Sequence, residues 1–395
     1  MKPCEIKKGV YWVGVVDWNM RSFHGHTFST RHGTTYNAYL IIDEKITLID
    51  TVYGPFADEL IENIRSIVPI EKIDYVVSNH VETDHSGSMP AIMKLIPKAK
   101  VYCTKKGREG LYKNYYGDWD FQEVKTGDTL KLGKRTLTFI EAPMIHWPDS
   151  MFTYCREEEL LMPNDAFGQH MATGERFDDE VDQCVLMDEA KTYYANILTP
   201  LGAIILRKID EVVKMNVPIS MIAPSHGIIW RKNPKKIIDS YVSWAGNQTA
   251  KKAVIVYETM WKSTEKMARS IASGLQSSGI EVKLFDIAES DRTEVIKEIL
   301  DAKGFIIGSS THDNDMLPSI AAFLELLKGL KPKNRVALAF GSYGWGGGAV
   351  ASIERELKET GAEIAQPSVS VKYVPDESEK KKCFDAGVEF AKRCI

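Results

Sequence analysis

The stretch SNHVETDHSGSMP, from Ser78 to Pro90, places His80, Glu82, Asp84 and His85 within six consecutive positions. Imidazole and carboxylate are the side chains that hold transition metals at nitrogen and oxygen. The apolar run IDYVV ahead of them reads as a strand, and a helix is expected to begin near Met89. Polar groups at the carboxyl end of a strand point into the crevice where open sheets bind ligands. His80 and Glu82, two apart, can serve one metal, and Asp84 and His85 a neighbouring one. Three further polar residues each close an apolar run: His146 after TLTFIEAP, Asp165 after EELLMP and His226 after ISMIAPS. A shared crevice needs such single donors, each at the end of its own strand.

The elements that must position them fall into two halves. GVYWVGVVDW, TTYNAYLIID and KITLIDTVY read as consecutive strands, and FADELIENIRSIV has helical spacing. KVYCTK, TLKLGKRTLTFIEAP and SMFTYC are further strands, and one long helix is expected over residues 188–215, DEAKTYYANILTPLGAIILRKIDEVVKM. The chain divides near residue 250, where the polar stretch NQTAKK reads as a short linker. The expected domains are therefore residues 1–250 and 251–395. In the second, AVIVYE, EVKLFDI, GFIIGSS and RVALAFG alternate with amphipathic helices, the rhythm of a parallel sheet covered on both faces.

H-x-E-x-D-H at residues 80–85, followed by distant His, Asp and His, resembles the metallo-β-lactamase fold, an αββα sandwich. Hydrolases of that fold usually carry His where this chain has Glu82 and hold zinc. That departure, with DWNMRSFHG, GTTYNAYLI, HWPDSMFTY and NDAFGQH and the flavodoxin-like second half, resembles the flavodiiron proteins, or A-type flavoproteins, over nearly the whole chain. The resemblance implies two non-haem irons. His80, Glu82 and His146 would bind one, Asp84, His85 and His226 the other, and Asp165 would bridge them. The charges agree. Two Fe(II) ions carry four positive charges, three carboxylates carry three negative ones, and a bridging hydroxide brings a buried site to neutrality. A carboxylate-enriched set suits iron that cycles between two oxidation states. His24 and the pair Tyr193–Tyr194 resemble family positions on the substrate side of the metals, and His170 is a candidate partner of a ligand.

In the second half, strand AVIVY runs into ETMWKSTEKMARS, a loop entering a helix. Thr259, Ser263 and Thr264 offer hydroxyls there, and the amides around Met260, Trp261 and Lys262 lie at the helix N-terminus, a phosphate site by dipole and by free N–H groups. There is neither a G-x-x-x-x-G-K-[ST] nor a G-x-G-x-x-G fingerprint, so FMN fits better than a nucleoside triphosphate or a dinucleotide. Two later strand ends complete the expected flavin loops. GSSTHDND contributes Ser310, Thr311 and Asn314. GSYGWGGG contributes Ser342, Tyr343, Gly344, Trp345 and Gly346, with Trp345 as a stacking wall.

A net charge of −4 and a pI near 6.2 give nucleic acid or an anionic membrane no electrostatic foothold. No apolar run is long enough to span a bilayer. The six scattered cysteines, without a C-x-x-C pair, read as reduced thiols of a cytoplasmic protein and exclude a built-in rubredoxin. The resemblance implies reduction of O2 to water or of NO to N2O, an external donor (a rubredoxin-type protein or a reduced deazaflavin) and a head-to-tail homodimer or a tetramer of such dimers. Two rival readings differ in metal content. A hydrolase with an appended flavin module would hold zinc, and a flavin-bearing electron carrier would hold no stoichiometric metal.

Overall fold

The computed structural model describes residues 2–365 and 367–395. It divides into two compact units. The first contains residues 2–23, 30–193 and 203–242. The second contains residues 24–29, 194–202 and the chain from Ser243 onward.

The first unit is built on two sheets. Seven strands run in the order Cys4–Lys7, Val10–Trp12, Tyr39–Ile41, Ile46–Ile49, Ile73–Val77, Lys100–Cys103 and Asp120–Glu123. The second sheet runs Thr129–Lys131, Thr136–Glu141, Met151–Cys155, Leu160–Met162 and Met221–Ile222. Side chains alternate between the faces of a strand. Leu40, Leu48, Val76 and Val101 enter a core shared with Leu60, Ile64, Ile92 and Leu111 of the covering helices. Their neighbours Tyr39, Ile41, Ile49 and Val77 enter a second core with Leu137, Phe139, Met151 and Met162 of the facing sheet. Strands buried on both faces read as continuous apolar runs, which is why they stood out in the sequence. Helices Gly202–Lys214 and Pro234–Ala245 lie beyond the second sheet, completing an αββα sandwich.

The second unit carries a sheet in the order Glu281–Asp286, Ala250–Glu258, Ala302–Ser310, Val336–Tyr343 and Glu363–Ile364, with Val369–Lys372 also pairing to Val336–Tyr343. Among the described residues its strand pairings are all parallel. The chain order 2-1-3-4-5 is the flavodoxin-like doubly wound arrangement. Helices Ser263–Ser277 and Glu377–Ala391 pack against each other, the first through Ile271 and Leu275 in a core shared with Phe390.

Local expectations are corrected in five places. TTYNAYLIID is two strands, Thr34–Tyr36 paired to Val15–Asp17 and Tyr39–Ile41 in the seven-stranded sheet. The long helix over 188–215 is interrupted. Gln183–Tyr193 passes into a wide helical turn at Tyr194–Leu198 and a tight one at Thr199–Leu201 before Gly202–Lys214 begins. Pro200 has no N–H to continue the ladder, and its ring disfavours helix just before it. GVYWVGVVDW is two strands, Val10–Trp12 and Val15–Asp17, parted at Gly14. TLKLGKRTLTFIEAP is a hairpin turning at Gly133. The sheet of the second unit starts at Ala250, inside the stretch read as linker.

Candidate functional site

Strand Ile73–Val77 delivers the chain to a buried polar anchor. Asn79 donates from its backbone to Asp50 Oδ1 (2.7 Å) and from Nδ2 to Oδ2 (2.9 Å), and accepts from Thr153 Oγ1 at 2.6 Å. A short helix, Thr83–Ser86, follows and carries Asp84 and His85. Gly87 ends it under a tight constraint. A Cβ there would lie 2.4 Å from the Thr83 carbonyl oxygen and 2.6 Å from the Gly54 nitrogen.

Seven side chains converge in this unit, in two groups on the two oxygens of Asp165. His146 Nε2 and His80 Nε2 lie 3.2 and 3.7 Å from Asp165 Oδ2, and both face Glu82 Oε2, at 3.4 and 3.5 Å. On the other side, His85 Nε2 and His226 Nε2 lie 2.9 and 3.6 Å from Asp165 Oδ1, with Asp84 Oδ2 at 3.3 and 3.0 Å from them. The ligand atoms of each group lie within 4.8 Å of one another. Asp84, His85, His80, Asp165 and His226 are buried, whereas Glu82 and His146 are half-buried. The cluster therefore opens on the side of that pair.

A cation pair fits this donor set. His80 Nε2, His85 Nε2, His226 Nε2, both Asp84 oxygens and Asp165 Oδ2 are buried without a hydrogen bond of acceptable geometry. One such atom costs a few kcal/mol, and six aimed at one spot are otherwise inexplicable. The electrostatics make the same demand. Burial opposes charge on His85, but Asp84 and Asp165 outweigh it and raise the imidazole to about 9. Burial is likewise overcome at His146, raised to about 9 by the Asp165 and Glu82 carboxylates beside it. It is overcome at His80 by the hydrogen bond with Asp149 and by the nearby Glu82 carboxylate, which hold that ring well above its ordinary value. Burial alone would raise the Asp165 carboxyl; the charge on His85 first, and His146 beside it, bring it well below the usual carboxylate range.

A metal binding here must displace those protons. Loading the metal-free chain with Fe(II) at pH 7 should therefore release protons, and affinity should strengthen as pH rises towards about 9 and level off above it. Anaerobic titration in buffers of different ionisation enthalpy measures the release; metal uptake with no proton release at pH 7 would contradict this picture.

The rear nitrogens set the direction of the rings. His80 Nδ1 lies 2.9 Å from Asp149 Oδ2, which also accepts the Val81 N–H at 2.8 Å. His226 Nδ1 donates to the Thr35 carbonyl at 2.6 Å. The His226 loop is tied to the first sheet by Asn37, whose Nδ2 donates to the carbonyls of Pro224 and Gly227 at 2.8 and 3.0 Å. Each contact leaves Nε2 as the free donor toward the cluster. Sequence reasoning missed Asp149, Thr35 and Asn37. Asp149 stood in plain view, three residues after His146. Replacing Asp149 with Ala should weaken metal affinity about 10- to 100-fold while leaving the fold intact. A chelator competition titration measures this, and unchanged affinity would deny Asp149 any orienting role.

The other singled-out residues divide. His170 is buried, its ring 4.9 Å from that of His226 and its Nδ1 2.9 Å from Thr34 Oγ1. Tyr193 packs 5.1 Å from the His170 ring and 6.2 Å from His226. Tyr194 belongs to the other unit and packs on Trp244 at 5.3 Å, so only Tyr193 of the pair faces the histidines. His24 is exposed, has φ 47°, and lies in the segment 24–29 of the second unit.

In that second unit, Thr264 Oγ1 lies 3.0 Å from Ser310 Oγ and 2.9 Å from Ser342 Oγ, joining the ends of three strand–loop segments. They border a pocket of about 270 Å³ that Met260, Trp261, Ser263, Thr311, Tyr343 and Gly344 also line. Thr259 Oγ1, one residue before the lining residue Met260, is buried without a hydrogen-bond partner. Trp261 and Trp345 are 88% and 95% exposed, which suits rings that cover a planar ligand. Gly348 admits no side chain, since a Cβ would lie 1.8 Å from the Asn314 carbonyl oxygen. Tyr373 and Val374, after strand Val369–Lys372, also line the pocket and were not foreseen.

Two family models match the chain: the ODP family beta lactamase over residues 34–227 and flavodoxin over residues 255–387. The nitric oxide reductase of Moorella thermoacetica is 55% identical over 394 residues, covering 99% of both chains. The flavodiiron protein of Giardia intestinalis superposes with a TM-score of 0.96 at 39% identity, over 100% of this chain and 97% of that one. The chain belongs to the flavodiiron protein family. Rubredoxin:oxygen oxidoreductase from Desulfovibrio gigas is similar too, with a TM-score of 0.97 and 38% identity over 100% of this chain and 98% of its own. The anaerobic nitric oxide reductase flavorubredoxin of Escherichia coli is 42% identical over 392 residues, 98% of this chain and 82% of that one. Among the described residues of this family member, no helix is long and apolar enough to cross a membrane.

Proposed function

We propose that this chain is a cytoplasmic reductase of NO to N2O, and of O2 to water, at two irons fed through FMN by an external donor. The observation that carries the reading is the Asp165 carboxylate, with each oxygen facing its own group of two imidazoles and one carboxylate. His80, Glu82 and His146 would hold one iron, Asp84, His85 and His226 the other. The residues around Thr264, Ser310 and Ser342 would hold FMN. When bound, the irons and the flavin supply two electrons each, enough for two NO to become N2O and water or for O2 to become two waters.

The protein's own groups prepare this chemistry. Asp149 and Thr35 fix the tautomers of His80 and His226, so the donor nitrogens need no reorganisation. Both reductions consume protons. Burial first, and the charges of Asp165, Asp84 and Glu82 next, push the Tyr193 hydroxyl well above its ordinary value, so it keeps its proton beside the site. Half-buried Glu82 and His146 mark the side open to a small ligand.

An external electron donor is supported by the lack of any C-x-x-C pair, of the kind a rubredoxin centre uses, in this sequence. A rubredoxin-type protein or a reduced deazaflavin fits that role. The working assembly is a head-to-tail homodimer or a tetramer of such dimers. Anaerobic turnover of the reduced enzyme with NO and with O2 in parallel, alongside metal analysis, tests the function. Two zinc ions per chain with no iron, and no gas consumption, would favour the hydrolase.

A further inference from the structure

Beside the metal cluster, in the same unit, lies a cavity of about 130 Å³ between the second sheet and the helix Gly202–Lys214. Its inner wall includes Ile145, Ala166 and Phe167, all buried. These are the chain neighbours of His146 and Asp165, so the wall is one residue removed from two of the seven donors. Ile205, Ile209 and Val212 of the helix line the other side, and the mouth opens to solvent beside Val213, which is 67% exposed.

The lining offers water almost nothing. The one charged residue, Lys208, contributes its hydrocarbon stem while its ammonium pairs with Glu211 at 2.6 Å. The Tyr241 hydroxyl accepts the Phe167 N–H at 2.8 Å. A held water needs two to four polar partners, which this lining does not offer, and apolar sites of roughly this size take up xenon. The space is well below the roughly 300 Å³ at which sites for drug-sized ligands begin. What fits is a small, weakly polar molecule, and the proposed substrates are diatomic gases of that kind.

We infer that this cavity is a holding site for the apolar diatomic substrate, with the Ile145 and Ala166–Phe167 wall between it and the metal donors. The inference rests on the proposed gas reduction and adds a place from which the gas is supplied. A pocket that the gas passes through on its way to the donors speeds its capture, an effect that lowers KM and leaves the chemical step alone.

Xenon-pressurised crystals of the holoenzyme test occupancy without turnover. Wild type should show xenon between Phe167 and Ile209. Ile209→Phe, which fills the cavity from the side away from the metal donors, should lose it. If that variant does not fold, Val212→Phe at the half-buried rim reads the same quantity. The filled variant should show KM for NO raised about fivefold at unchanged kcat, with iron and FMN content as in wild type. A cavity without xenon in wild type, or a filled variant with unchanged KM, overturns the inference while leaving gas reduction standing. A wild-type enzyme that takes up xenon but consumes neither NO nor O2 overturns the function, and with it the supply role.

Discussion

Asp165→Ala should cost the chain its metal pair and lower turnover by at least about a hundredfold. Loss of a partner that merely orients a ligand already costs about 10- to 100-fold in metal affinity or activity. Asp165 goes further, because its two oxygens face the two groups separately and, among the described residues, no other carboxylate does so. Removing it leaves each group with two imidazoles and one carboxylate, and takes away a main source of the positive-charge demand on His85 and His146. Iron should fall from two per chain to well below one. Asp165→Asn sharpens the test, since its single carbonyl oxygen can serve only one group and should retain about one metal. Flavin content should match wild type in both variants, because the pocket around Thr264, Ser310 and Ser342 belongs to the other unit. Full iron occupancy with wild-type turnover in Asp165→Ala would sink the bridging assignment.

The donors were legible because chemistry and position coincide in them. His80, His146, Asp165 and His226 each follow an apolar strand, and buried strands advertise themselves as apolar runs. The flavodoxin-like half was legible for the same reason, as its parallel strands bury both faces. Groups that act through space were not legible. Thr35 contributes a backbone carbonyl to His226, and every residue has one. Asp149 reaches His80 across 69 positions of the chain, a link that no local pattern announces. The break at Tyr194–Leu201 was missed because apolar spacing continues across it, although Pro200 carried the signal. Nor does a single cut describe the units. Residues 24–29 and 194–202 belong with the second, through contacts such as the Ser29 N–H to Thr293 Oγ1 at 2.9 Å. That union also separates Tyr194 from Tyr193, which no periodicity argument could do.

Two inactive variants should regain activity when mixed, if the flavin of one chain serves the irons of another. The first is Asp165→Ala, with an intact flavin pocket and no iron pair. The second is Gly348→Val, with an intact iron cluster. Its new side chain would collide with the Asn314 carbonyl, which a Cβ alone would approach to 1.8 Å. The 313–314 turn already holds Asp313 and Asn314 at positive φ (48° and 64°), so it has little freedom to give way, and FMN binding should be lost. In a two-fold dimer each chain meets the other through the same patch, so a mixed dimer contains one intact flavin opposite one intact iron pair. Random subunit exchange makes half the dimers mixed, each with one working pair of two, so recovery should approach about a quarter of wild-type turnover. A chain that passes electrons only within itself recovers nothing, because neither variant holds both sites. Native mass spectrometry confirms that exchange has occurred. Exchange without recovered turnover would exclude the cross-subunit route and with it the functional reason for a head-to-tail assembly.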